Sequence, residues 1–445
     1  MTVAARMNRL PITRGHRLAT VAVGCGLFFD FYEIFLAGVL GGVLGAQFHL
    51  GKPAQALVLS SAFLGMFVGA LTLGRMADRL GRRRAFLLST AVYSVFSLVG
   101  AFSFDPVVLV LARLCAGFGI GAEPALADTY LGDLLPARDR GRYTALAYTF
   151  GFLGFPAVGF LGQWLVPIAP LGIEGWRWMF VLGALGSVLV FALRAGLPES
   201  PRWLEAVGRT EEAEAIVRRF EAQAGTPLPD PVEPATVDTR QDGGLGVLLR
   251  PPYRRRTIMM VVLQVLQPVG YYGFGTLVPL VLVAKGYPVV QSLLFSAVTF
   301  LGYPIGSALS VPIVERIERK HLVIGSALGM AAFGIAFGSA TSTTWIVLLG
   351  FGYTAVSNVF SNAFHIYQAE IFPTAVRGTA VSGIYSLSRL ATGLMPFVLL
   401  PLAQDSGLLF ALIAGAMVLL ALDVAVLGPR TTGVALEELN SVQPS

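Results

Sequence analysis

Residues 74–84 read GRMADRLGRRR. Two glycines, Gly74 and Gly81, frame one acid, Asp78, and the stretch carries five arginines: Arg75, Arg79, Arg82, Arg83 and Arg84. On either side the charge stops. Residues 55–74 and 85–104 are apolar runs, each close to the ~20 residues a helix needs to cross a bilayer core. A short basic loop between two such runs predicts a helical hairpin in a membrane, its loop held on one side by the arginines.

The whole chain agrees. Of 445 residues, 55% are hydrophobic and 13% charged, and the mean hydropathy is +0.70. A soluble domain is about 25% charged, so the composition predicts an integral, all-α membrane protein with the lipid bilayer as its partner. Candidate spans lie at 18–46, 55–74, 85–104, 107–131, 143–166, 176–196, 257–283, 290–314, 321–341, 344–366, 379–403 and 407–428. They form two groups of six. This gives an N-terminal bundle (1–196), a linker (197–256) and a C-terminal bundle with a tail (257–445). Within the linker, Trp203, Leu204, Val207, Ala213, Ile216, Val217 and Phe220 recur at helical spacing, which predicts short amphipathic helices.

The formal charge of +6 is distributed between the spans. Arg6, Arg9, Arg14, Arg17, the five arginines of 74–84, Arg138, Arg140, Arg142 and the linker arginines fall on one side. Lys52, Arg177 and Lys285 fall on the other. The rule that basic loops stay inside places both termini in the cytoplasm. The basic charge reads as topology, not as a nucleic-acid surface. The two cysteines, Cys25 and Cys115, lie in apolar runs and make no disulfide framework. There is no phosphate-cradling loop, no metal-spaced Cys/His cluster and no hydrolase constellation among the four histidines. Neither an enzyme nor a cofactor is expected, and the chain is expected to be monomeric.

The sequence also repeats. Residues 130–141 (YLGDLLPARDRG) and 367–378 (YQAEIFPTAVRG) share the pattern Tyr-x-x-acid-aliphatic-x-Pro-x-x-x-Arg-Gly at an offset of 237 (367 minus 130). The same offset carries Asp78 onto Glu315, Arg79 onto Arg316, and Arg82 and Arg83 onto Arg319 and Lys320. Two motifs with one offset predict two parallel six-helix repeats.

GRMADRLGRRR is similar to the loop signature Gly-x-x-x-Asp-Arg-x-Gly-Arg-Arg of the major facilitator superfamily. LPESPRWL (197–204) resembles the sixth-span exit of its sugar porters and metabolite:proton symporters, and RLCAGFGIGAEP (113–124) their fourth-span glycine pattern. DFYE (30–33) resembles the first-span motif of aromatic-acid symporters, and QPVGYY (267–272) the seventh-span Gln-x-x-Gly of sugar porters, with Tyr272 in place of an Asn. PRTTGVALEEL (429–439) resembles the sugar-porter tail. The resemblance covers essentially the whole chain. It implies twelve helices in two bundles, alternating access, and secondary transport coupled to protons as the driving ion. In this fold the loop charges imply a cytoplasmic gate built from Gly74, Asp78, Arg79, Gly81, Arg82, Arg83, Asp133, Arg140, Glu315, Arg316, Glu370 and Arg377.

Charges within spans mark function, since a charge at mid-bilayer costs about 2.5–3.5 kcal/mol on insertion scales. Asp30 lies ~18 Å into its span at 1.5 Å per residue, with Glu33 on nearly the same face. Arg113 reaches a similar depth from the other side. Glu33, Asp30, Arg113 and Glu123 are the candidate proton-coupling residues; a static ion pair between spans one and four is the alternative. Arg389, near mid-bilayer, suits a carboxylate substrate because its fork binds one bidentately, unless it pairs with Asp423. Gln267, Tyr271 and Tyr272 beside a Pro–Gly break, and Asn358 and Asn362 on one face, complete the candidate substrate site. His365 is expected to pack. The sequence thus predicts a proton-coupled symporter of a small organic anion, aromatic or heterocyclic, in a bacterial inner membrane. A sugar or polyol symporter, an efflux pump and a non-transporting receptor are the alternatives.

Overall fold

The computed structural model describes residues 2–225, 227–229, 248, 251, 253–314, 316–372 and 374–431, with backbone alone at 75, 369 and 374–382. Among the described residues, twelve helices are long and apolar enough to cross a membrane. Spans one to six are Arg14–Gln47, Lys52–Leu80, Arg82–Ala101, Pro106–Leu134, Arg140–Leu165 and Gly175–Ala195. Spans seven to twelve are Tyr253–Ala284, Val289–Val314, Arg319–Ser339, Thr343–Gln368, Gly383–Leu402 and Ser406–Leu427. They make two six-helix bundles. An even number of spans puts both termini on one face, called the terminal face below.

The opening stretch is less of a loop than its charge suggested. Span two runs through Gly74 to Leu80 and span three begins at Arg82. The connection shrinks to Gly81, whose φ of 99° is a region that favours glycine. A Cβ there would also lie 2.4 Å from a Glu199 carboxylate oxygen. Glu199 accepts from the Arg83 backbone N–H at 2.9 Å and so caps span three.

Glycine sets the packing of span four. A Cβ on Gly117 would lie 2.0 Å from the Ala62 carbonyl, and one on Gly121 2.3 Å from that of Met66. Span two answers with Gly65 and Gly69, each within 2.0 Å of span-four carbonyls. Glycines four apart on both helices bring the backbones into contact, the small-residue packing of membrane helices. The equivalent glycines of span eight, Gly302 and Gly306, meet the backbone of span ten in the same way.

The 237-residue repeat holds at the level of side-chain contacts. Arg82 pairs with Asp133 at 3.8 Å, and its counterpart Arg319 with Glu370 at 3.4 Å. Tyr130 donates to the Pro198 carbonyl at 2.7 Å, and Tyr367 to that of Pro429 at 2.7 Å. Arg83 caps the end of span six at Ala195, as Lys320 caps span twelve at Ala425 and Gly428.

One expectation is corrected. Span seven is not broken at Pro268: a single helix runs from Tyr253 to Ala284 with Pro268 and Pro279 inside it. Each proline forfeits one ladder bond, which membrane helices tolerate when neighbours cover the freed group. The two linker helices are present, at Pro201–Ala206 and Thr210–Ala222. A short N-terminal helix, Val3–Asn8, docks on them. Arg6 and Arg9 both bind Glu221, at 2.6 and 2.8 Å, Arg6 also binds Glu214, and the Val3 N–H donates to Glu205 at 3.0 Å.

The bundles meet mainly through spans two and eleven, five and eight, and one and seven. On the face away from the termini they touch closely. A Cβ on Gly38 would lie 2.8 Å from Thr276 Cα, one on Gly159 2.7 Å from Ala297, and one on Gly393 2.8 Å from Leu64. Lys52 donates to the Pro401 carbonyl across the seam at 3.3 Å.

Candidate functional site

Exposed residues on the terminal side of that seam mark a cleft between the bundles, with Thr149 of span five and Ser307 of span eight still in contact beside it at 3.3 Å. The half of span four nearer the terminal face exposes Ala125, Asp128 and Thr129 on one face, and no large apolar residue. Its other half exposes Val107, Val108 and Leu111, as a lipid-facing surface should. Across the cleft His365 and Gly383 are exposed. Above it, Phe35 of span one packs against Phe155, Phe300 and Tyr303 at ring separations of 4.2–5.7 Å, with Tyr272 6.4 Å away. This aromatic plug joins both bundles.

Arg389 lies at the C-terminal side of the plug, 2% exposed. It donates to the hydroxyls of Tyr272 at 2.7 Å and Tyr385 at 2.5 Å. Its guanidinium carbon sits 5.3 Å and 5.0 Å from their ring centroids. Its hydrogen bonds go to phenols, not to Asp423, and its Nε has no hydrogen-bond partner. Tyr271 donates to Asn358 Oδ1 at 2.9 Å, and Asn358 Nδ2 to the Tyr303 carbonyl at 2.7 Å. Asn358 thereby holds the Tyr271 ring beside the plug, 5.4 Å from the Tyr303 ring. Asn362 Nδ2 ties span ten to span eight through Ser310 at 2.6 Å and Ser307 at 3.3 Å. Gln267 is 3% exposed beside Pro268. The His365 ring lies 5.7 Å from that of Tyr385, tilted by 54°, and its Nδ1 meets Gln368 at 3.1 Å, which in turn accepts from Gln264 at 2.9 Å.

Glu33 and Arg113 meet inside the N-terminal bundle, each 1% exposed, at 3.2 Å. Ser97 of span three donates to the second Glu33 oxygen at 3.2 Å. Asp30 does not join them, although it is only three residues away. It lies beside Arg194 near the end of span six, and Arg194 binds Glu123 at 2.7 Å. Arg194 was not among the expected site residues, because it lies just inside the end of a predicted span. Asp128 was also missed. It lines the cleft within electrostatic reach of Tyr148 and Tyr385.

The expected gate residues cluster on the terminal face. Arg82 binds Asp78 at 2.9 Å as well as Asp133, and Ser200 donates to Asp133 at 2.7 Å. Trp203 donates to the Asp78 carbonyl at 2.9 Å. Arg79 and Arg316 are exposed, a Cβ on Gly74 would meet nothing within 4 Å, and Arg140 lies at the start of span five with its Nε lacking a hydrogen-bond partner. Glu315 and the Arg377 side chain lie outside the described residues. Among the described residues, each ion pair on this face stays within one bundle and its linker.

Residues 19–442 match the family model described as "sugar (and other) transporter". The chain belongs to that family. It is a multi-pass membrane transporter of the major facilitator superfamily, not an enzyme. Among its relatives is YyaJ of Bacillus subtilis (strain 168), assigned provisionally to metabolite transport, 32% identical over 96% of this chain and 95% of its own. The niacin transporter NiaP of Acinetobacter baylyi is 27% identical over 99% of this chain and 100% of its own. In fold, the chain is similar to the partially occluded, inward-open xylose transporter XylE of Escherichia coli. That similarity has a TM-score of 0.77 and 22% identity, over 94% of this chain and 99% of the other.

Proposed function

We propose that this transporter is a proton-coupled symporter of a small aromatic or heterocyclic carboxylate. The observation that carries the reading is Arg389, a buried cation at the plug whose hydrogen bonds go to two phenols rather than to an acid. A guanidinium held by neutral partners keeps capacity for a carboxylate, which it binds with charge-assisted, fork-shaped hydrogen bonds. Around it Tyr271, Tyr272 and Tyr303 offer faces on which a planar ring can stack. The likeness to the niacin transporter NiaP supports the same substrate class, since niacin is a heterocyclic carboxylate.

Proton coupling rests on Glu33 and Arg113. A carboxylate beside an arginine favours its charged form, and a buried one without that help favours its neutral form. Movement that loosens the 3.2 Å pair lets Glu33 take a proton; movement that restores it expels the proton. Alternation of the bundles about the plug links that exchange to the bound anion. The arginine-rich terminal face is the cytoplasmic face in this reading, by the positive-inside rule, so the structure is inward-facing.

The test is uptake of labelled nicotinate into proteoliposomes, with and without an inward proton gradient. Gradient-driven accumulation supports the reading. Accumulation that ignores the gradient, or binding of the anion unchanged in Arg389→Ala, removes it. Sugar or polyol symport is the second reading. It is favoured by the description of the family model and by Gln267, and it predicts that a neutral pentose or hexose competes with nicotinate while nicotinate itself is not accumulated.

A further inference from the structure

Asp30 is 2% exposed, and its Oδ2 has no hydrogen-bond partner. It shares a small void with Gly26, Thr90, Tyr93 and Arg194. Arg194, 1% exposed, donates from Nη1 to Glu123 Oε1 at 2.7 Å and to Thr90 Oγ1 at 2.8 Å, while its Nε and Nη2 lack partners. Phe86 lies 4.2 Å beneath the guanidinium. Glu123 Oε1 also accepts from Ser89 at 2.9 Å, and Glu123 Oε2 lacks a partner. A Cβ on Gly26 would lie 1.8 Å from Arg194 Nη2. Gly26 and Asp30 are four apart and so share one face of span one. The unused half of the guanidinium therefore enters span one on the face that carries the unused acid.

The cluster holds two carboxylates and one guanidinium. With both acids ionised it carries one uncompensated negative charge inside the membrane, which is costly. One bound proton makes it neutral. We infer that Asp30, Glu123 and Arg194 form a second proton site, in which Arg194 alternates between two carboxylates and the proton occupies the one it leaves. This rests on the proton-symport reading above. In the structure Arg194 is on Glu123, so the proton belongs on Asp30. When Arg194 swings to Asp30, the O–H bond at Asp30 breaks and one forms at Glu123 Oε2. The cluster stays neutral throughout. Glu123 lies ten residues beyond Arg113 along span four, ~15 Å nearer the terminal face, so the exchange moves the proton away from the coupling pair.

Tyr93 lies between the two sites: its hydroxyl donates to the Phe29 and Gly183 carbonyls at 3.3 and 3.4 Å, and a Cβ on Gly183 would lie 3.6 Å from that hydroxyl and 3.4 Å from Glu33 Oε2. Tyr93 also borders the Asp30 void. The other titratable groups facing the cluster are Cys25 and Glu33 from span one and Tyr130 from span four. Arg194 is a positioning residue here, and the carboxylates hold the proton.

The experiment uses the purified protein in lipid nanodiscs, treated with dicyclohexylcarbodiimide, which adds to protonated carboxyl groups in apolar surroundings. Peptide mass spectrometry is expected to find the adduct on Asp30 and not on Glu123. Arg194→Gln should extend labelling to Glu123, and Arg194→Lys should retain the wild-type pattern. An unlabelled Asp30 in the wild type, or a pattern unmoved by Arg194→Gln, overturns the inference. In proteoliposomes, Asp30→Asn should lower gradient-driven nicotinate uptake about tenfold or more, with counterflow exchange kept within about twofold. Undiminished gradient-driven uptake in that variant also overturns it. If the wild type does not couple nicotinate to the gradient, the symport reading fails, and the adduct pattern still decides the cluster.

Discussion

In the proposed function, Arg389 is the residue on which substrate choice turns. Charge-assisted hydrogen bonds are worth about 1.5–3 kcal/mol, so Arg389→Ala should weaken nicotinate binding ~10- to 150-fold. Arg389→Lys should recover little of this, because a point charge cannot reproduce the fork. Thermal-shift titration with nicotinate reads both variants, and equal affinity in all three proteins would remove Arg389 from the site. Asp128 offers the opposite case. It places a carboxylate in the cleft near Tyr385, a partner of Arg389. Asp128→Asn should therefore tighten nicotinate binding several-fold, measured in the same titration. Glu33 and Arg113 were legible in the sequence because helical rise fixes depth, and two opposite charges at one depth attract. Arg194 and Asp128 were not. Each sits near the end of a span, where a charge reads as interfacial, and only the packing of spans one, three, four and six shows Arg194 turned inward onto Glu123.

At the scale of elements, glycine decides how close the helices come. Gly81 is both the whole connection between spans two and three and the space for Glu199. Gly81→Ala should lower stability by about 1–3 kcal/mol, the cost of holding a residue with a Cβ in the positive-φ extended region (φ 99°, ψ 157°) that is essentially reserved for glycine, plus whatever Glu199 loses as a cap. Thermal unfolding in detergent checks it, and an unchanged midpoint would mean that the turn relaxes freely. Gly121→Val should be more damaging, since its Cβ meets backbone of span two that has nowhere to move. The glycines were visible in the sequence as a motif, but the partner each one meets was not. The loop reading of 74–84 erred for a related reason: charge density marks where a chain leaves the apolar core, not where its helix ends.

At the scale of the molecule, the bundles close on the face away from the termini through Gly38, Gly159 and Gly393. Gly38→Trp should hold that face apart and favour the conformation open to it. A cysteine placed at Thr276 would then gain reactivity toward a membrane-impermeant maleimide, and no gain would mean that this contact does not gate. The terminal face carries a separate clamp, the helix Val3–Asn8 on the linker. Hydrogen bonding to Arg6, and then Arg9, holds the Glu221 carboxyl down at about 2 from its ordinary 4.5. A lowered carboxylate contributes stability above its ordinary value and loses it as pH falls through its folded value. The clamp should thus be intact at neutral pH and loosen as pH falls from 4.5 toward about 2. Hydrogen exchange over residues 3–8 should rise across that window, and Glu221→Gln should raise it at neutral pH.

The sequence by itself determined the membrane class, the twelve spans, the repeat and the depths of Asp30, Glu33, Arg113 and Arg389. Hydropathy, helical rise and a shared offset are properties of the chain read along its length. Which charges pair was decided by the tertiary structure. Asp30 and Glu33 are neighbours in LFFDFYEIFLA, yet one lies with Arg194 and the other with Arg113. Successive residues of a helix turn by about 100°, so small differences in heading send near neighbours to different partners. Those partners come from spans four and six, whose approach to span one depends on glycines and side-chain volumes far from the motif itself.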